Sequence, residues 1–167
     1  SSIPGLRSLL KKKYNVFVWN RTLEKAQSIL GDLTNNIFKY DFIELEKKII
    51  AGDVVISMLP ATNHLDIAKL CLRKNANFIS SSYISEELQE LNDNVKKQGL
   101  VFLNEVGLDP GIDHLMAHDL VKQYKESLSY DNDNTIEFFS FCGGVPKKPN
   151  EFCYKFSWSP LGVLKAL

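Results

Sequence analysis

Two aspartates lie close together in the segment NEVGLDPGIDH, residues 104–114, where their carboxylates could take part in chemistry. The segment follows a short apolar run that is typical of a buried strand, and it leads into a helix pattern. In an open α/β sheet, ligands bind beyond the carboxyl ends of the strands. A carboxylate held there by Gly107 and Gly111 is therefore a candidate for chemistry. Asp109 and Asp113 could instead cap the following helix, and spacing alone leaves both interpretations open.

A second candidate is the tripeptide Asn20–Arg21–Thr22, which follows a β-branched and aromatic run typical of a strand. In dinucleotide-binding folds an acidic residue near this position binds the ribose of NAD, whereas an Arg accommodates the 2′-phosphate of NADP. Here an Arg is present without an acid, and a guanidinium can bind phosphate bidentately. Arg21 could also be a solvated turn residue. Because the chain has only three arginines, the pattern favours NADP over NAD.

Strand and helix patterns alternate through most of the chain and must position these residues. Strands are predicted at residues 15–19, 37–40, 53–59, 77–80 and 100–103. Helices are predicted at residues 4–10, 22–31, 41–50, 62–72, 85–99 and 113–128, and Asp41 with Glu44 forms a capping box. The alternation predicts an α/β fold, a Rossmann-like doubly wound parallel sheet. The almost wholly apolar strand 53–59 is predicted to be covered on both faces.

The pattern changes after Leu128, where a polar turn precedes two β runs, Thr135 to Cys142 and Phe152 to Trp158. We therefore predict a dinucleotide-binding domain over residues 1–128 and the beginning of a second, α+β substrate or dimerisation domain over residues 129–167. A dinucleotide domain normally opens with a strand and a glycine-rich loop, whereas this chain starts at a helix. The expectation is a longer protein, because a sheet without its first strand has two unpaired edges.

Composition excludes several classes of function. Lys plus Arg equals Asp plus Glu at 20 each in 167 residues, so no net field favours nucleic acid or an anionic membrane. We find no membrane-spanning stretch and no signal peptide. The three cysteines lack the spacing of a metal site and are expected to be buried thiols. These features predict a cytoplasmic protein without a bound metal.

Several stretches, in collinear order, resemble the NADP-dependent, glutamate-forming saccharopine dehydrogenases. They are DVVISMLP (53–60), SSSYIS (80–85), NEVGLDPGIDH (104–114), CGGVP (142–146) and YKFSWSPLGV (154–163). The resemblance implies NADP(H) as cofactor. It also implies reduction of the imine of 2-aminoadipate 6-semialdehyde and glutamate to saccharopine, or the reverse, in lysine metabolism, and more weakly a homodimer. A lysine 6-dehydrogenase, a carboxynorspermidine-type reductase and a non-catalytic dinucleotide-binding module are the alternatives.

The resemblance also implies roles for individual residues. The cofactor would be bound by Asn20, Arg21, Thr22, Asp41, Phe42, Leu59, Ser80, Ser81, Leu108, Asp109, Pro110 and Trp158. The substrate would be bound by Ser82, Tyr83 and Asp109, of which Tyr83 and Asp109 would be catalytic.

A carboxylate such as Asp109 would stabilise the cationic iminium that is reduced, and Tyr83 could orient a substrate carboxylate or relay a proton. His114 is a weaker candidate for acid–base chemistry. We expect His64 and His118 to face solvent. With Arg21 assigned to the cofactor, the cationic clamp for the substrate carboxylates is expected from lysines or from residues outside this chain.

Overall fold

The structure is a computed structural model that describes residues 2–141, 146–151 and 153. Its helices are α1 (Ile3–Lys11), α2 (Leu23–Leu30), α3 (Phe42–Lys48), α4 (His64–Arg73), α5 (Glu86–Gln89), α6 (Asn92–Lys97) and α7 (Ile112–Lys125). Its strands are β1 (Val18–Asn20), β2 (Ile37–Lys39), β3 (Val54–Ser57), β4 (Asn77–Ser80) and β5 (Phe102–Leu103). A 3₁₀ turn, Ala61–Asn63, precedes α4. The chain divides into two compact units, residues 1–115 and 116–167.

Every strand pair is parallel, and strands alternate with helices, which confirms the predicted α/β class. The strands form two sheets, β1–β2 and β3–β4–β5. Among the described residues, β1, β2, β3 and β5 are edge strands, and β4 is paired on both sides. The parallel arrangement matters for the site because the carboxyl ends of neighbouring strands then lie on one side of a sheet.

Short polar signals set the helix boundaries. Asp41 caps α3, since its carboxylate accepts the N–H of Glu44 at 3.0 Å as the capping box predicts. Ser85 caps α5 in the same way, accepting the N–H of Leu88. The helix predicted over residues 85–99 is divided into α5 and α6, however, and α3 ends at Lys48 instead of Ile50. Helix existence is thus well predicted, and helix length is not.

The main core lies between β4 and the helices α3 and α4. Phe78 of β4 and Leu70 and Cys71 of α4 are fully buried there. Burial raises the pKa of the Cys71 thiol to about 12, so this cysteine is a core residue, as predicted. Cys153 is exposed, so the expectation of a buried thiol is wrong there. A second core joins β1, β2 and α2 around Leu30 and Ile37.

One face of β3 is open, so the prediction that this strand is covered on both faces is wrong. Val54 and Ile56 are 56% and 53% exposed, whereas Val55 packs against the main core and Ser57 is buried. Alternate residues of a strand point to opposite faces. The apolar run therefore predicts a strand correctly, but in the described part of the chain helices cover only one of its faces.

The predicted strand from Thr135 to Cys142 is also wrong over its described part. Residues 135–141 have no regular secondary structure and no strand partner in the described chain. Phe139 and Phe141 are 71% and 93% exposed, so the aromatic content that suggested a strand is not buried against another one. Most of the run 152–158, including Trp158, lies outside the described residues. The domain boundary at residue 128 stays a prediction.

Candidate active site

The residues predicted to bind cofactor and substrate lie at or just beyond the carboxyl ends of parallel strands. Asn20 ends β1, and the backbone N–H of Tyr40, after β2, donates to its carbonyl at 2.9 Å. Ser80 ends β4. Leu59 follows β3, and the turn containing Asp109 follows β5. This is the side of a parallel sheet on which ligands bind.

Hydrogen bonds fasten the loop after β4 to the loop after β5. The Ser80 hydroxyl donates to Oδ1 of Asn104 at 3.0 Å. The N–H of Glu105 donates to the carbonyl of Ser82 at 3.1 Å, and the Glu105 carboxylate accepts the N–H of Ile84 at 3.2 Å. Two loops from different strands therefore form one hydrogen-bonded unit, which we call the clasped loops (residues 80–84 and 104–113).

Two glycines allow the clasped loops to pack closely. The N–H of Gly107 donates to the carbonyl of Pro110 at 2.9 Å, and a Cβ at Gly107 would lie 3.1 Å from the Cβ of Ser81. Gly111 has φ +145°, and a Cβ there would clash with the backbone O and N of Gly107. L-residues with a side chain rarely adopt this backbone conformation. A side chain does not fit at Gly111, and one at Gly107 would press on Ser81 and Pro110.

The clasped loops bring Tyr83 and Asp109 together, as the sequence predicted for a shared site. The Tyr83 hydroxyl donates to Oδ1 of Asp109 at 2.9 Å, and the Tyr83 side chain remains 60% exposed. This hydrogen bond is the main reason that the pKa of Tyr83 is raised; desolvation and the charges of Asp109, Asp113 and Glu105 add to it. The phenol is therefore held protonated beside three carboxylates, in an environment that favours a cation.

Asp113 has the local structural role that was one of the two interpretations of this segment. Its carboxylate accepts the N–H of Gly111 at 2.7 Å and contacts Nδ1 of His114 at 3.0 Å. The hydrogen bond from His114 holds the pKa of Asp113 below its usual range, and the same bond raises the pKa of His114. The His114 ring is 60% exposed and hydrogen-bonds to Asp113, and the nearby charges of Glu105 and Asp109 add less to its raised pKa.

Arg21 has chemistry suited to a phosphate. In the described part of the chain its guanidinium has no ion pair or hydrogen bond, whereas Arg7 pairs with Asp32 at 2.7 Å and Arg73 with Glu46 at 3.3 Å. The Asn20 side chain donates to the carbonyl of Thr22 at 2.8 Å and thereby shapes the turn. Thr22 stands at the start of α2 without a side-chain capping bond. An exposed cation, a hydroxyl and uncapped helix N–H groups form a donor set that fits a 2′-phosphate.

The remaining predicted cofactor residues differ in how accessible they are. Leu108 is 69% exposed and Ser81 is half-buried, whereas Ser80 and Pro110 are buried. Asp41 is occupied as a helix cap, and Phe42 and Leu59 pack partly against the core. Trp158 lies outside the described residues. No cluster of His, Cys, Asp or Glu among the described residues is arranged as a metal site.

Sequence reasoning missed three residues that build this site. Asn104 and Glu105 join the two loops, and Glu105 does so with a positive φ of 62°. His64 was expected to face solvent, which is wrong: it is 2% exposed and bonded to Ser57 and to Ser82. A polar residue directly after a strand could have identified Asn104. Nothing in the local pattern separates a buried helical His64 from an exposed one, and His118 is exposed as expected.

Comparison with known families agrees with this geometry. Residues 6–103 match the saccharopine dehydrogenase NADP binding domain, and residues 107–167 match the saccharopine dehydrogenase C-terminal domain. The chain belongs to the saccharopine dehydrogenase family. The resemblance stated from the sequence is thereby confirmed, and the predicted cofactor NADP(H) is that of the matched domain. The boundary between the two matches falls within the clasped loops.

Individual relatives point to the same family. The saccharopine dehydrogenase [NADP(+), L-glutamate-forming] of Saccharomyces cerevisiae is 38% identical over 159 residues, which are 92% of this chain and 35% of the relative. The mitochondrial alpha-aminoadipic semialdehyde synthase of Bos taurus is 41% identical over 93% of this chain and 15% of its own. The solved structure of the apo, histidine-tagged yeast enzyme matches with a TM-score of 0.79 at 36% identity, covering 98% of this chain and 37% of that one. The chain thus spans about a third of the yeast relative's length.

Proposed function

We propose that the natural protein containing this chain is an NADP-dependent oxidoreductase that acts on a C–N bond. It reduces the imine of 2-aminoadipate 6-semialdehyde and glutamate to saccharopine, or catalyses the reverse oxidation, in lysine metabolism. The observation that carries the proposal is the Tyr83–Asp109 hydrogen bond of 2.9 Å at the carboxyl ends of β4 and β5. The family relationship supports it, since the glutamate-forming relatives carry this activity in their names.

The adenosine phosphate end of the cofactor is assigned to Asn20, Arg21 and Thr22. Arg21 supplies a positive charge without a competing carboxylate among the described residues, which favours a 2′-phosphate. Leu108, Asp109 and Pro110 are assigned to the nicotinamide end. NADPH, when bound, supplies the hydride that reduces a carbon–nitrogen double bond.

Asp109 has the central role among the residues of this chain. An iminium is more electrophilic than a neutral imine, and a carboxylate at this position stabilises both the iminium and the secondary ammonium product. The nearby charges of Glu105 and Asp113 raise the pKa of the Tyr83 phenol. The same negative charges would stabilise a cationic nitrogen beside it. Preorganised charges of this kind cost no reorganisation during the reaction.

Tyr83 fixes the orientation of Asp109 by donating its hydroxyl hydrogen to one carboxylate oxygen. The raised pKa of Tyr83 keeps that proton in place near neutrality, so the phenol acts as a hydrogen-bond donor and not as a base. Ser82, directly before Tyr83, is assigned to substrate binding. The substrate carboxylates need cationic partners, for which we propose lysines or residues outside this chain.

A spectroscopic assay tests this function. The natural protein is mixed with NADPH, glutamate and 2-aminoadipate 6-semialdehyde, and oxidation of the reduced cofactor is followed by absorbance. Oxidation that requires both amine and aldehyde supports the proposal. Turnover only with other amine–aldehyde pairs would favour the lysine 6-dehydrogenase or carboxynorspermidine-type alternatives. NADPH binding without turnover on any pair would favour a non-catalytic module.

We further propose a cytoplasmic homodimer, on the family resemblance and on the buried Cys71 thiol. No helix in the described chain has the length and apolar character to cross a bilayer. Relatives from Rattus norvegicus and Bos taurus are named as mitochondrial, so the mitochondrion is the competing compartment. Analytical ultracentrifugation measures the oligomeric state, and imaging of a tagged natural protein decides the compartment. A monomer, or a mitochondrial signal, would contradict the respective part.

A further inference from the structure

His64 is a buried polar residue to which the proposed mechanism gives no role. It is the first residue of α4, and its ring packs edge-on against Phe78 with 6.1 Å between ring centroids. Burying an imidazole costs free energy unless both nitrogens find hydrogen-bond partners. Here Nδ1 lies 2.9 Å from the Ser57 hydroxyl and Nε2 lies 3.0 Å from the Ser82 hydroxyl. Both ring nitrogens are therefore satisfied by serines.

The two serines belong to different parts of the site. Ser57 is the last residue of β3 and is 4% exposed, so it is a fixed point of the core. Ser82 lies in the clasped loops, directly before Tyr83. A neutral imidazole donates from one nitrogen and accepts at the other, and hydroxyls can complement either tautomer. Ser57, His64 and Ser82 thus form a continuous chain of hydrogen bonds from the core to the loop that carries Tyr83.

Charge does not explain the arrangement. The pKa of His64 is lowered, and desolvation is the resolved cause. A neutral His64 ring is suited to a structural role, in which its two hydrogen bonds set the position of Ser82. The backbone of Ser82 is fixed as well, since its carbonyl accepts the N–H of Glu105 at 3.1 Å. Ser82 is therefore held between α4 and the loop after β5.

We propose that His64 is a positioning residue, which fixes Ser82 to the buried start of α4 and thereby sets the place of Tyr83 opposite Asp109. The inference rests on the proposed function of Tyr83 and Asp109. The competing interpretation is a satisfied core histidine, whose loss would affect stability alone. The two interpretations differ in what happens to the amino-acid substrate compared with the cofactor.

Two substitutions separate the halves of the link in the natural protein. In H64Q the amide nitrogen of Gln can take the place of the ring nitrogen Nε2. In H64N the Asn amide can take the place of Nδ1. We expect H64N to keep the Ser57 contact, to lose Ser82 and to lower kcat/KM for the imine substrate about 10-fold or more, because small displacements of positioned groups are costly. H64Q should recover activity to within about 3-fold of wild type. H118N, at an exposed helix position, is the matched control.

The dissociation constant for NADPH provides the contrast. It should change much less than kcat/KM in H64N, because the adenosine phosphate residues lie on another loop. Ser80, a cofactor residue two positions before Ser82, also keeps its own bond to Asn104. Equal losses for cofactor and substrate, in proportion to a lower unfolding temperature, would overturn the proposal. So would H64Q and H64N with the same activity.

A double-mutant cycle tests whether the effect passes through Ser82. In an S82A background the bond to Nε2 is already absent, so H64N should cause no further loss of kcat/KM. In an S82T background, which retains a hydroxyl, H64N should still lower kcat/KM. If the fold-loss of kcat/KM in the double variant equals the product of the two single losses, His64 does not act through Ser82. That result would overturn the proposal.

NMR of the His64 ring in the wild-type protein tests the contact without requiring a His64 variant that folds. With ¹⁵N-labelled histidine, the wild-type spectrum near neutrality should give one fixed neutral tautomer for His64. S82A should shift the Nε2 signal and S82T should restore it. Unchanged ring signals in S82A would contradict the contact. A wild-type protein without turnover would contradict the proposed function and leave this spectroscopic test standing.

Discussion

The two ends of the candidate site are built in different ways. At the phosphate end, Arg21 is exposed and has no partner in the described chain, and the one resolved side-chain bond is from Asn20 to the carbonyl of Thr22. At the substrate end, the clasped loops are fastened by backbone and side-chain bonds and by glycine packing. The first end presents a charge, whereas the second presents a fixed geometry.

This difference corresponds to what each end must recognise. A phosphate is bound mainly by charge and by donors that can adjust to it, so an exposed guanidinium is sufficient. A developing iminium charge requires groups that are already in place, because reorganisation during the reaction would raise the barrier. Substitutions at the substrate end should therefore damage structure and turnover together. Substitutions at the phosphate end should change affinity and leave the fold intact.

The largest effect is expected from Gly111→Ala. The new Cβ would clash with the backbone of Gly107 and lie 2.8 Å from the carbonyl oxygen of Glu105, at a φ of +145°. We expect a loss of about 3 kcal/mol or more in the free energy of unfolding of this domain and loss of turnover. Urea unfolding measures the first and the NADPH assay the second.

Gly5→Ala is the matched control, because Gly5 lies in α1 with no atom within 4 Å of an added Cβ. It should stabilise by about 0.5 kcal/mol through helix propensity. A Gly111→Ala protein as stable as wild type would mean that the clasped loops are not a fixed geometry, and the contrast between the two ends would disappear.

Asp109→Asn comes next and separates charge from shape within the substrate end. The amide retains the size of the carboxylate but removes its negative charge, so turnover should fall about 100-fold while NADPH affinity stays within about 3-fold. Tyr83→Phe, which removes one hydrogen bond, should cost about 10-fold. Steady-state kinetics with a separate cofactor titration measure both. Unchanged turnover in Asp109→Asn would remove this residue from the mechanism.

Arg21→Ala probes the phosphate end and should give a smaller, cofactor-specific loss. A charge-assisted contact to a phosphate corresponds to about 10- to 100-fold in affinity, and we expect this loss for NADPH but not for NADH. The unfolding temperature should not change. Arg73→Ala, whose side chain pairs with Glu46, is the matched arginine control. An equal loss for NADPH and NADH would contradict the phosphate role.

The same contrast separates what the sequence predicted from what it did not. The positions of Arg21, Tyr83 and Asp109 follow from strand periodicity and family resemblance, because each comes at or just after a predicted strand. The fastening of the loops does not, since Glu105 acts through a positive φ and Ser80 through a partner 24 residues away. His64 was placed on the wrong side of its helix because burial of its ring depends on two serines from other elements. Tertiary hydrogen bonds leave no periodic signal.

The smallest effect is expected from His114→Gln, which removes a surface pair at the edge of the clasped loops. The bond from Asp113 raises the pKa of His114 above 6.5, so its contribution to stability is present below that value and is lost as pH rises through the raised pKa. The pKa of Asp113 is lowered from 3.8, so its contribution is present above 3.8 and is lost as pH falls through the lowered pKa.

His114→Gln should consequently lower stability mainly between about pH 4 and 6.5, with only a small effect because the His114 side chain is 60% exposed. Turnover near neutrality should stay within about 2-fold of wild type, since an exposed ion pair contributes little. NMR titration of Asp113 should give a higher pKa in the variant. A large fall in turnover with an unchanged NADPH dissociation constant would instead make His114 an acid–base group, and the substrate end would then hold a second titrating residue beside Asp109.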